Sequence, residues 1–291
     1  MFLVTGATGG LGRRVVRLLC DRDQPVRAFV RLTSSYQELE DRGAQVLIGD
    51  LKRDRDIERA CQGVRYVIST HGAGMDAEAI EYRANIDLID DAIAADVQHF
   101  VYISVLGADR GYQDSAVFKA KREVEKYLQN SGLNYTILRP AALSSSLISL
   151  AEQFRQTGVY LLIGEANNRT SVVSTDDLAN IAIESVDLPE ALNQILPVGG
   201  PELLTRNDIP QIFGRIFNRE PIILNPPLSL FDGARSALGF VNPELQKSLG
   251  TLRVLLANEF LCTSEEVERI ESLFDMKMES LETFLRRYLA V

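Results

Sequence analysis

Short apolar runs alternate with amphipathic segments along the first 140 residues of the chain. The apolar runs predict strands at 1–5, 26–30, 45–49, 65–69, 99–104 and 134–140. The segments between them predict helices near 10–22, 34–42, 54–62, 76–95 and 115–131. Regular strand–helix alternation is typical of an α/β fold with a doubly wound parallel sheet, and right-handed crossovers give the strand order 3-2-1-4-5-6.

The pattern is less regular after residue 140. It predicts helices near 145–157 and 175–186, a strand at 169–174, and a strand at 194–200 that is placed to return to the main sheet. A helix over 205–217 with Thr205 as its N-cap follows, whereas residues 225–262 have no clear assignment. We therefore predict two interwoven domains: residues 1–140, and a smaller α/β lobe of residues 141–291 that ends in helices.

The last 29 residues predict helices that pack on protein. Thr263 and Glu266 have the spacing of a capping box. Apolar residues follow at helical spacing: Val267, Ile270, Leu273, Phe274, Leu281, Phe284, Leu285 and Tyr288. Residues 263–291 carry seven acidic and four basic side chains, the opposite of the basic face typical of membrane-surface helices. We expect this apolar stripe to pack on the second lobe.

Composition excludes several classes of protein. The 291 residues are 46% hydrophobic and carry a formal net charge of −9, which argues against nucleic acid as a partner. Cys20, Cys61 and Cys262 lack the spacing of a disulfide framework or a metal site. No apolar run is long enough to span a membrane, and the chain opens on a strand without a signal peptide. We expect a cytoplasmic location, or the plastid stroma if a transit peptide has been removed.

The strongest chemical signal is the segment VTGATGGLGRR at residues 4–14. It leaves a strand and enters a helix with glycines at 6, 9 and 12, as in the dinucleotide-binding loop of a Rossmann fold. Gly6 permits the turn, Gly9 lets a pyrophosphate approach the backbone, and Gly12 lets the helix pack on the strand. The helix N-terminus adds free N–H groups. The predicted cofactor contacts in this loop are Thr5, Gly6, Thr8, Gly9, Gly10, Leu11 and Gly12.

The end of the second strand predicts NADP(H) rather than NAD(H). An NAD site usually has an acidic residue there for the ribose hydroxyls, but this chain reads AFVRLTSS and has Arg31 in that region. A guanidinium suits a 2′-phosphate, and Arg13 is placed to assist it. Asp50 and Leu51, after the third strand, border the adenine in this interpretation, although Asp50 also fits a plain helix cap.

A lysine lies on the apolar stripe of the helix predicted at 115–131. Val117, Lys121, Val124 and Leu128 share one helical face. A charge on a buried face is unfavourable unless it is paired. On the residues alone, two interpretations stand: Lys121 extends its amine to solvent or pairs with Glu125, or it has a function.

Seven segments occur in a characteristic order: VTGATGGLGRR, AFVR, VLIGDL, FVYISVLGA, FKAKREVEKYL, YTILRP and SVVSTDDLA. Together they resemble the atypical short-chain dehydrogenases/reductases, in particular the NmrA-like and isoflavone-reductase-like group. The resemblance covers about residues 1–200. The tail, with TSEEVERIESLF and SLETFLRRYL, resembles the cyanobacterial and plastid branch that acts in photosystem assembly and pigment delivery.

The resemblance implies a role for Lys121. Members of the wider superfamily use a Tyr-x-x-x-Lys pair on this helix, in which the lysine binds the nicotinamide ribose. Lys121 matches that lysine, whereas Val117 occupies the position of the tyrosine and cannot transfer a proton. Tyr112, in the preceding loop, is a conceivable substitute.

Other implied site residues follow strands. Ser104 matches the serine that contacts substrate, and His71 is a candidate proton donor or a structural hydrogen-bonding residue. Asn85 matches a position that helps to order the site in relatives, or is a solvent-facing polar residue of its helix. Further predicted cofactor contacts are Ser69, Thr70 and Pro140.

Two functions are compatible with these features. The first is an NADPH-dependent reductase of a small or medium apolar carbonyl, enone or quinone, with Lys121, Ser104 and His71 as catalytic residues and a pocket lined by residues 139–150. The second is a catalytically weak NADP(H)-binding module that acts as a redox sensor or as an assembly factor of a larger complex. The missing tyrosine favours the second function, and residues 225–262 would then be its partner surface. Oligomerisation is compatible with both.

Overall fold

Six parallel strands form most of the central sheet. The structure, a computed structural model, describes residues 1–72 and 76–290, with every side chain among them except that of Pro243. The strands are β1 (Phe2–Thr5), β2 (Val26–Val30), β3 (Gln45–Ile48), β4 (Tyr66–Ser69), β5 (His99–Ile103) and β6 (Tyr135–Pro140). Their spatial order is β3-β2-β1-β4-β5-β6, and each neighbouring pair is parallel. The predicted doubly wound α/β fold and its strand order are confirmed.

The remaining strands are shorter or lie at the edge of the sheet. They are β7 (Ala142–Leu143), β8 (Val159–Leu161), β9 (Arg169–Thr170), β10 (Val172–Val173), β11 (Gln194–Val198), β12 (Leu204–Thr205) and β13 (Ile222–Leu224). Strand β11 lies beside β6, which confirms that this segment returns to the main sheet. The single strand predicted at 169–174 is wrong. It is two short strands, because β9 pairs with β12 whereas β10 pairs with β7.

The helices occupy the predicted segments and also fill the region without an assignment. They are α1 (Gly10–Asp21), α2 (Gln37–Asp41), α3 (Asp54–Cys61), α4 (Ala84–Ala94), α5 (Ala116–Asn130), α6 (Ile148–Thr157), α7 (Thr175–Glu184), α8 (Asp208–Phe217), α9 (Leu228–Gly239), α10 (Pro243–Ala257), α11 (Ser264–Leu273) and α12 (Leu281–Leu289). A π-helical turn, Ala77–Arg83, leads into α4. Two 3₁₀ turns, Ser144–Leu147 and Pro189–Ala191, complete the described helical structure.

The predicted N-cap of the helix at 205–217 is wrong. Helix α8 begins at Asp208, and Thr205 belongs to β12. The Asp208 carboxylate accepts hydrogen bonds from both the N–H and the hydroxyl of Thr205, each at 2.7 Å. The acid therefore reaches back to Thr205, and the helix starts three residues later. The other predicted N-terminus, the capping box of Thr263 and Glu266 at α11, is confirmed.

The described chain divides into two compact units that alternate along the sequence. The first unit is Met1–Asp109, Val117–Arg139 and Thr175–Leu196, and the second is Arg110–Ala116, Pro140–Ser174 and Pro197–Val291. The predicted boundary at residue 140 therefore misplaces two segments. Arg110–Ala116 belongs to the second unit, and Thr175–Leu196 belongs to the first.

The core of the first unit lies between the sheet and its helices. Leu3, Val67, Phe100 and Ile137 are fully buried residues of four different strands in one apolar cluster. Their strands are nearly continuous apolar runs, as expected for parallel strands covered on both faces. This rigid sheet holds the loops that follow β1, β2, β4 and β5.

The second unit has a separate core that includes the tail. Phe284 and Leu285 of α12 pack in one buried cluster with Phe154 of α6 and Phe213 of α8. Ile270 of α11 is also buried. The apolar stripe of the tail packs on the second unit through its inner residues, whereas Tyr288 is about half exposed.

The cysteines and the helices of residues 1–72 and 76–290 bear on the expectations about a metal site and a membrane span. All three cysteines are free thiols, and burial raises the pKa of Cys61 and of Cys262 to about 12, so these two stay protonated. In residues 1–72 and 76–290, no cluster of three or more histidine, cysteine or acidic side chains is arranged to hold a metal ion. None of the helices described has the length and apolar character needed to cross a bilayer.

Candidate functional site

The three glycines of the first loop have different local geometry. Gly6 has φ +70°, and a Cβ on it would lie 2.7 Å from backbone atoms of His71. A Cβ on Gly12 would lie 2.3 Å from the carbonyl oxygen of Gly6. A Cβ on Gly9 would meet only that same oxygen, at 3.2 Å. Gly6 and Gly12 are therefore required by backbone packing, while Gly9 faces open space.

The open space beside Gly9 is a cavity of about 410 Å³. It lies at the carboxyl ends of β1, β2, β3 and β4, where ligands bind in sheets of this kind. Eight of the predicted site residues line it: Gly6, Thr8, Gly9, Arg31, Asp50, Leu51, Thr70 and His71. The N-terminus of α1 also begins here, with Gly9 as N-cap and no acidic residue in the first turn. This end of the helix favours a bound anion.

Arg31 and Arg13 differ in the charges that surround them. The Arg13 guanidinium donates to Glu38 Oε2 at 3.0 Å and to the carbonyl of Ser35 at 2.9 Å. Arg31 is exposed, lines the cavity, and has no ion pair with any residue that the structure describes. Arg31 is therefore the cation available to an anionic ligand, while Arg13 shares the carboxylate of Glu38 with Arg17 and Arg42.

Asp50 and Leu51, the residues predicted to border the adenine, follow β3. Both line the cavity. The Asp50 carboxylate accepts from the N–H of Lys52 at 3.0 Å. The alternative role of Asp50 as a helix cap is wrong, because α3 begins after Arg53.

Lys121 is buried and paired, but its partner is not Glu125. Its Nζ lies 3.1 Å from Glu81 Oε2 and donates to the carbonyl of Ile103 at 2.9 Å. It also lies 5.2 Å from the ring centre of Tyr102. The predicted alternative, a pair with Glu125 one turn along α5, is wrong, because Glu125 is taken by other groups. A lysine and a carboxylate that are both buried cost desolvation energy, which is a frequent mark of a functional site.

Glu81 connects this pair to the cavity. Its Oε1 lies 2.9 Å from the position that a Cβ of Gly72 would take, and Gly72 lines the cavity. The π-helical turn that carries Glu81 is held by Asn85, which is fully buried and donates to the carbonyl of Glu81 at 2.9 Å. Asn85 is thus an internal residue that positions the turn, and its alternative as a solvent-facing side chain is wrong.

His71 is buried beside the same groups. Its Nδ1 lies 2.8 Å from the hydroxyl of Thr5 and 3.3 Å from that of Ser69. Burial lowers the pKa of His71 to about 4, although the Glu81 carboxylate acts in the opposite direction. His71 is therefore neutral at pH 7 and a poor proton donor. Thr5 and Ser69 form hydrogen bonds with the imidazole of His71 and do not line the cavity.

Ser104 belongs to a buried ionic network. Its hydroxyl donates to Glu125 Oε1 at 2.6 Å. Glu125 is fully buried and also accepts two bonds from the Arg139 guanidinium, at 2.8 and 2.7 Å. Arg139 reaches Asp109 at 2.6 Å as well. Burial alone lowers the pKa of Arg139, but the two carboxylates outweigh it and hold that pKa above the ordinary value.

The other predicted site residues lie elsewhere. Gly10, Leu11 and Gly12 are the first turn of α1. Val117 is half-buried on α5. Tyr112 belongs to the second unit, where its ring packs on Phe260 with centres 5.9 Å apart. Pro140, the last residue of β6, also belongs to the second unit.

Sequence analysis missed several residues of this site. Phe29, Val30, Gly72 and Ile80 line the cavity through side chains or backbone. The most consequential omission is Glu81. A signal was present, because Glu81, Asn85, Leu88 and Ala92 share one helical face in which the last two are apolar.

We expect protein stability to fall as the pH decreases from about 6.5. Burial also lowers the pKa of His99 to about 4, and its Nε2 lies 2.9 Å from the Thr136 hydroxyl. As the pH falls, His71 and His99 bind a proton in the unfolded state before they do so in the folded state. Their contribution to the free energy of unfolding is therefore fully present above about pH 6.5 and is lost as the pH falls towards 4. Between pH 7.5 and 5.5, His71 and His99 should each lower the free energy of unfolding by about 1 kcal/mol.

Urea unfolding at these two pH values tests this expectation. In His99→Gln, whose amide can still bond Thr136, the drop in the free energy of unfolding should be smaller by about 1 kcal/mol. An equal drop in the variant and the wild-type protein would contradict the assignment.

Comparison with known proteins identifies the same class of site. A family model described as NAD(P)H-binding matches residues 6–189, more than half of the chain. The photosystem II assembly factor Ycf39 of Cyanophora paradoxa is 28% identical over 299 residues, which cover 98% of this chain and 91% of that protein. The NAD(P)H azoreductase of Xenophilus azovorans is 32% identical over 212 residues, 72% of this chain and 71% of the azoreductase.

A solved structure shares the fold. The NADPH-dependent quinone oxidoreductase of Escherichia coli, solved with NADPH, has a TM-score of 0.79 and 22% identity, and the match covers 99% of this chain and 100% of that one. At this identity the likeness concerns the fold alone. The family match confirms the resemblance and the predicted class of cofactor, a nicotinamide dinucleotide. The chain belongs to the NAD(P)H-binding family.

Proposed function

We propose that this protein is an NADPH-dependent reductase of a small or medium-sized apolar carbonyl, enone or quinone. The buried pair of Lys121 and Glu81 carries the proposal. It lies beside a cavity of about 410 Å³ whose wall includes the open side of Gly9, where we expect the pyrophosphate. One relative supports the class of reaction, because it is named an NAD(P)H azoreductase.

The lining of the cavity would hold the adenosine and pyrophosphate of NADPH, and Lys121, which lies outside that lining, would hold the nicotinamide ribose. Arg31 binds the 2′-phosphate, and Asp50 and Leu51 border the adenine. Gly9 and the N-terminus of α1 bind the pyrophosphate. Lys121 donates from Nζ to the hydroxyls of the nicotinamide ribose, while Glu81 compensates its charge. Thr70, whose hydroxyl donates to the carbonyl of Thr5 at 2.8 Å, holds the floor of the cavity.

The bound cofactor supplies a hydride, which brings two electrons to the substrate. A proton must follow to complete the reduction. The Ser104 hydroxyl already donates to Glu125, and His71 is neutral at pH 7. We therefore assign this proton to water beside the substrate, and Lys121 would act by holding the nicotinamide ribose in place.

Turnover measured with matched lysine variants tests the function. Purified protein is incubated with NADPH and a panel of quinones, enones and aldehydes, and oxidation of NADPH is followed. We expect turnover to fall by about 100-fold or more in Lys121→Met, since a positioned charge is removed. Lys119→Met changes an exposed lysine of the same helix and should keep full activity. Equal activity of the two variants would contradict the role of Lys121.

We expect NADPH to bind more tightly than NADH. The unpaired Arg31 guanidinium gains charge-assisted hydrogen bonds with the 2′-phosphate, worth about 1.5–3 kcal/mol. Calorimetric titration of both cofactors should therefore show a preference of about 10- to 100-fold that Arg31→Gln removes. Arg55→Gln, at an exposed arginine of α3, is the matched control. The same preference in Arg31→Gln would exclude this residue as the phosphate ligand.

A second candidate is a cofactor-binding assembly factor with little turnover. Relatives named photosystem II assembly factor match 98% of this chain, and Val117 stands where the superfamily has its tyrosine. Phe240 and Val241, between α9 and α10, are 93% and 84% exposed and would contact the partner. Tight NADPH binding without turnover on any substrate would favour this function. Its location would be the cytoplasm, or the stroma in a plastid-bearing cell.

A further inference from the structure

A second cavity lies entirely within the second unit. Its volume is about 300 Å³, and leucines and aromatic rings of α6, β8, α10 and the segment after α10 dominate its lining. Among them are Leu147, Leu150, Tyr160, Leu252, Leu255 and Phe260. Leu150 and Leu255 are about 40% exposed, so the cavity has an open mouth. Its volume is at the lower end of the range typical of small-molecule sites.

The charges around this cavity are unbalanced. Arg169 and Arg206 both line it, and the described lining includes no acidic residue. Arg169 is neutralised by Glu259, which accepts from its Nε and Nη2 at 2.9 Å each. Arg206 donates only to backbone carbonyls, those of Ile163 at 2.9 Å and Leu255 at 2.7 Å. One positive charge is therefore left without a carboxylate in an apolar pocket.

Two of the five N–H groups of Arg206 are used by these carbonyls, and the guanidinium makes no other hydrogen bond to a residue that the structure describes. Burial lowers the pKa of Arg206 below its ordinary value, because the positive charge of the guanidinium is partly removed from water. A bound anion would remove this penalty, because paired charges are less costly to bury than single ones. The carbonyl contacts also hold the guanidinium in place before a ligand arrives.

We propose that the second unit binds an apolar molecule with a single carboxylate, whose acid group pairs with Arg206 and whose hydrocarbon part lies among the leucines. At roughly 30 Å³ for each water-sized group, the cavity holds about ten non-hydrogen atoms. A medium-chain fatty acid has this size, and its end can extend through the open mouth. Five lining residues, Ala141, Ala142, Ser146, Leu147 and Leu150, belong to the segment 139–150 that we expect to line the substrate pocket of the reductase. The binding proposed here requires neither NADPH nor turnover, so its test can fail separately from that of the reductase activity.

Decanoate and 1-decanol form a matched pair of probes, since they share a hydrocarbon chain and differ in charge. Calorimetric titration of the full chain should show one decanoate site and much weaker binding of decanol. In Arg206→Met, decanoate should bind about tenfold more weakly or worse, because a charge-assisted contact is lost. Arg219→Gln is the matched control. Arg219 also donates to backbone carbonyls of this unit, including that of Thr157 at 2.7 Å, but lies outside the cavity lining.

Two further variants keep the test decisive if Arg206→Met is unstable. Arg206→Lys retains the charge and should retain part of the preference for decanoate over decanol. Leu150→Glu introduces a carboxylate at a partly exposed helix position and should abolish decanoate binding, while thermal unfolding shows that the fold persists. Equal affinity for both probes, absence of decanoate binding, or unchanged decanoate affinity in Arg206→Met or Leu150→Glu would overturn the proposal. NADPH titration of the same samples shows separately whether the cofactor site is intact.

Discussion

Gly9→Val should abolish NADPH binding and leave the fold intact. Gly9 has φ −73° and ψ 170°, which is ordinary extended backbone that valine adopts without strain. Its Cβ would meet only the Gly6 carbonyl oxygen, at 3.2 Å, which a small shift relieves. The rest of the side chain would extend into the cavity where we place the pyrophosphate. We expect the affinity for NADPH to fall by more than about 100-fold, equivalent to about 2.7 kcal/mol.

Calorimetry with NADPH and circular dichroism of the same samples measure the two parts of this result. Gly12→Val is the informative comparison, because its Cβ would lie 2.3 Å from backbone at Gly6 and 2.6 Å from the Thr70 hydroxyl. That variant should lose stability as well as binding. If Gly9→Val binds NADPH like the wild-type protein, the cofactor does not lie against this loop.

Arg139→Met should lower the free energy of unfolding by about 3–5 kcal/mol. Glu125 is fully buried, and the Arg139 guanidinium makes a two-bond contact with its carboxylate. Methionine removes the charge and leaves Glu125 as a buried anion. Ser104 and the partly exposed Arg122, at 3.1 Å, can compensate for only part of it. Such a loss is a large fraction of the stability of an ordinary domain.

Urea unfolding at pH 7 measures this effect, and two variants separate its causes. Arg122→Met removes a partly exposed partner of the same carboxylate and should cost about 1 kcal/mol or less. The double variant Arg139→Met with Glu125→Gln removes both charges and should be more stable than Arg139→Met alone. A loss below about 1 kcal/mol in Arg139→Met would contradict the assignment of Arg139 as the main partner of the buried Glu125 carboxylate.

Local pattern determined the architecture and the position of the cofactor loop. Apolar runs of four to six residues became the strands of the sheet, because parallel strands covered on both faces need continuous apolar sequence. The glycine spacing of residues 6–12 was readable for a similar reason. A tight turn followed by a closely packed helix requires glycine at particular positions. These positions lie within a few residues of one another, so their spacing is recognisable in the sequence.

Sequence position also identified Lys121 as anomalous, since a charge on an apolar stripe is visible in helical spacing. The spacing did not identify the carboxylate that pairs with Lys121. Glu125 is one turn away on the same helix, yet it pairs with Arg139 of β6, and Lys121 pairs with Glu81 of the π-helical turn. Local spacing favours the nearer partner, but parallel strands place their carboxyl ends at one edge and bring together residues that are far apart in sequence.

Tertiary structure likewise decided which predicted residues reach the cavity. Arg31 and Arg13 were both candidates for the 2′-phosphate, but Arg13 pairs with Glu38 of α2, whereas Arg31 has no ion pair among the described residues. The apolar region after residue 225 was ambiguous, because the pattern alone cannot distinguish a core helix from the wall of a pocket. Arg206 illustrates the same limit, since only the folded second unit leaves its charge without a carboxylate. The sequence determines which side chains carry charge, whereas packing determines which of those charges remain uncompensated and so available to a ligand.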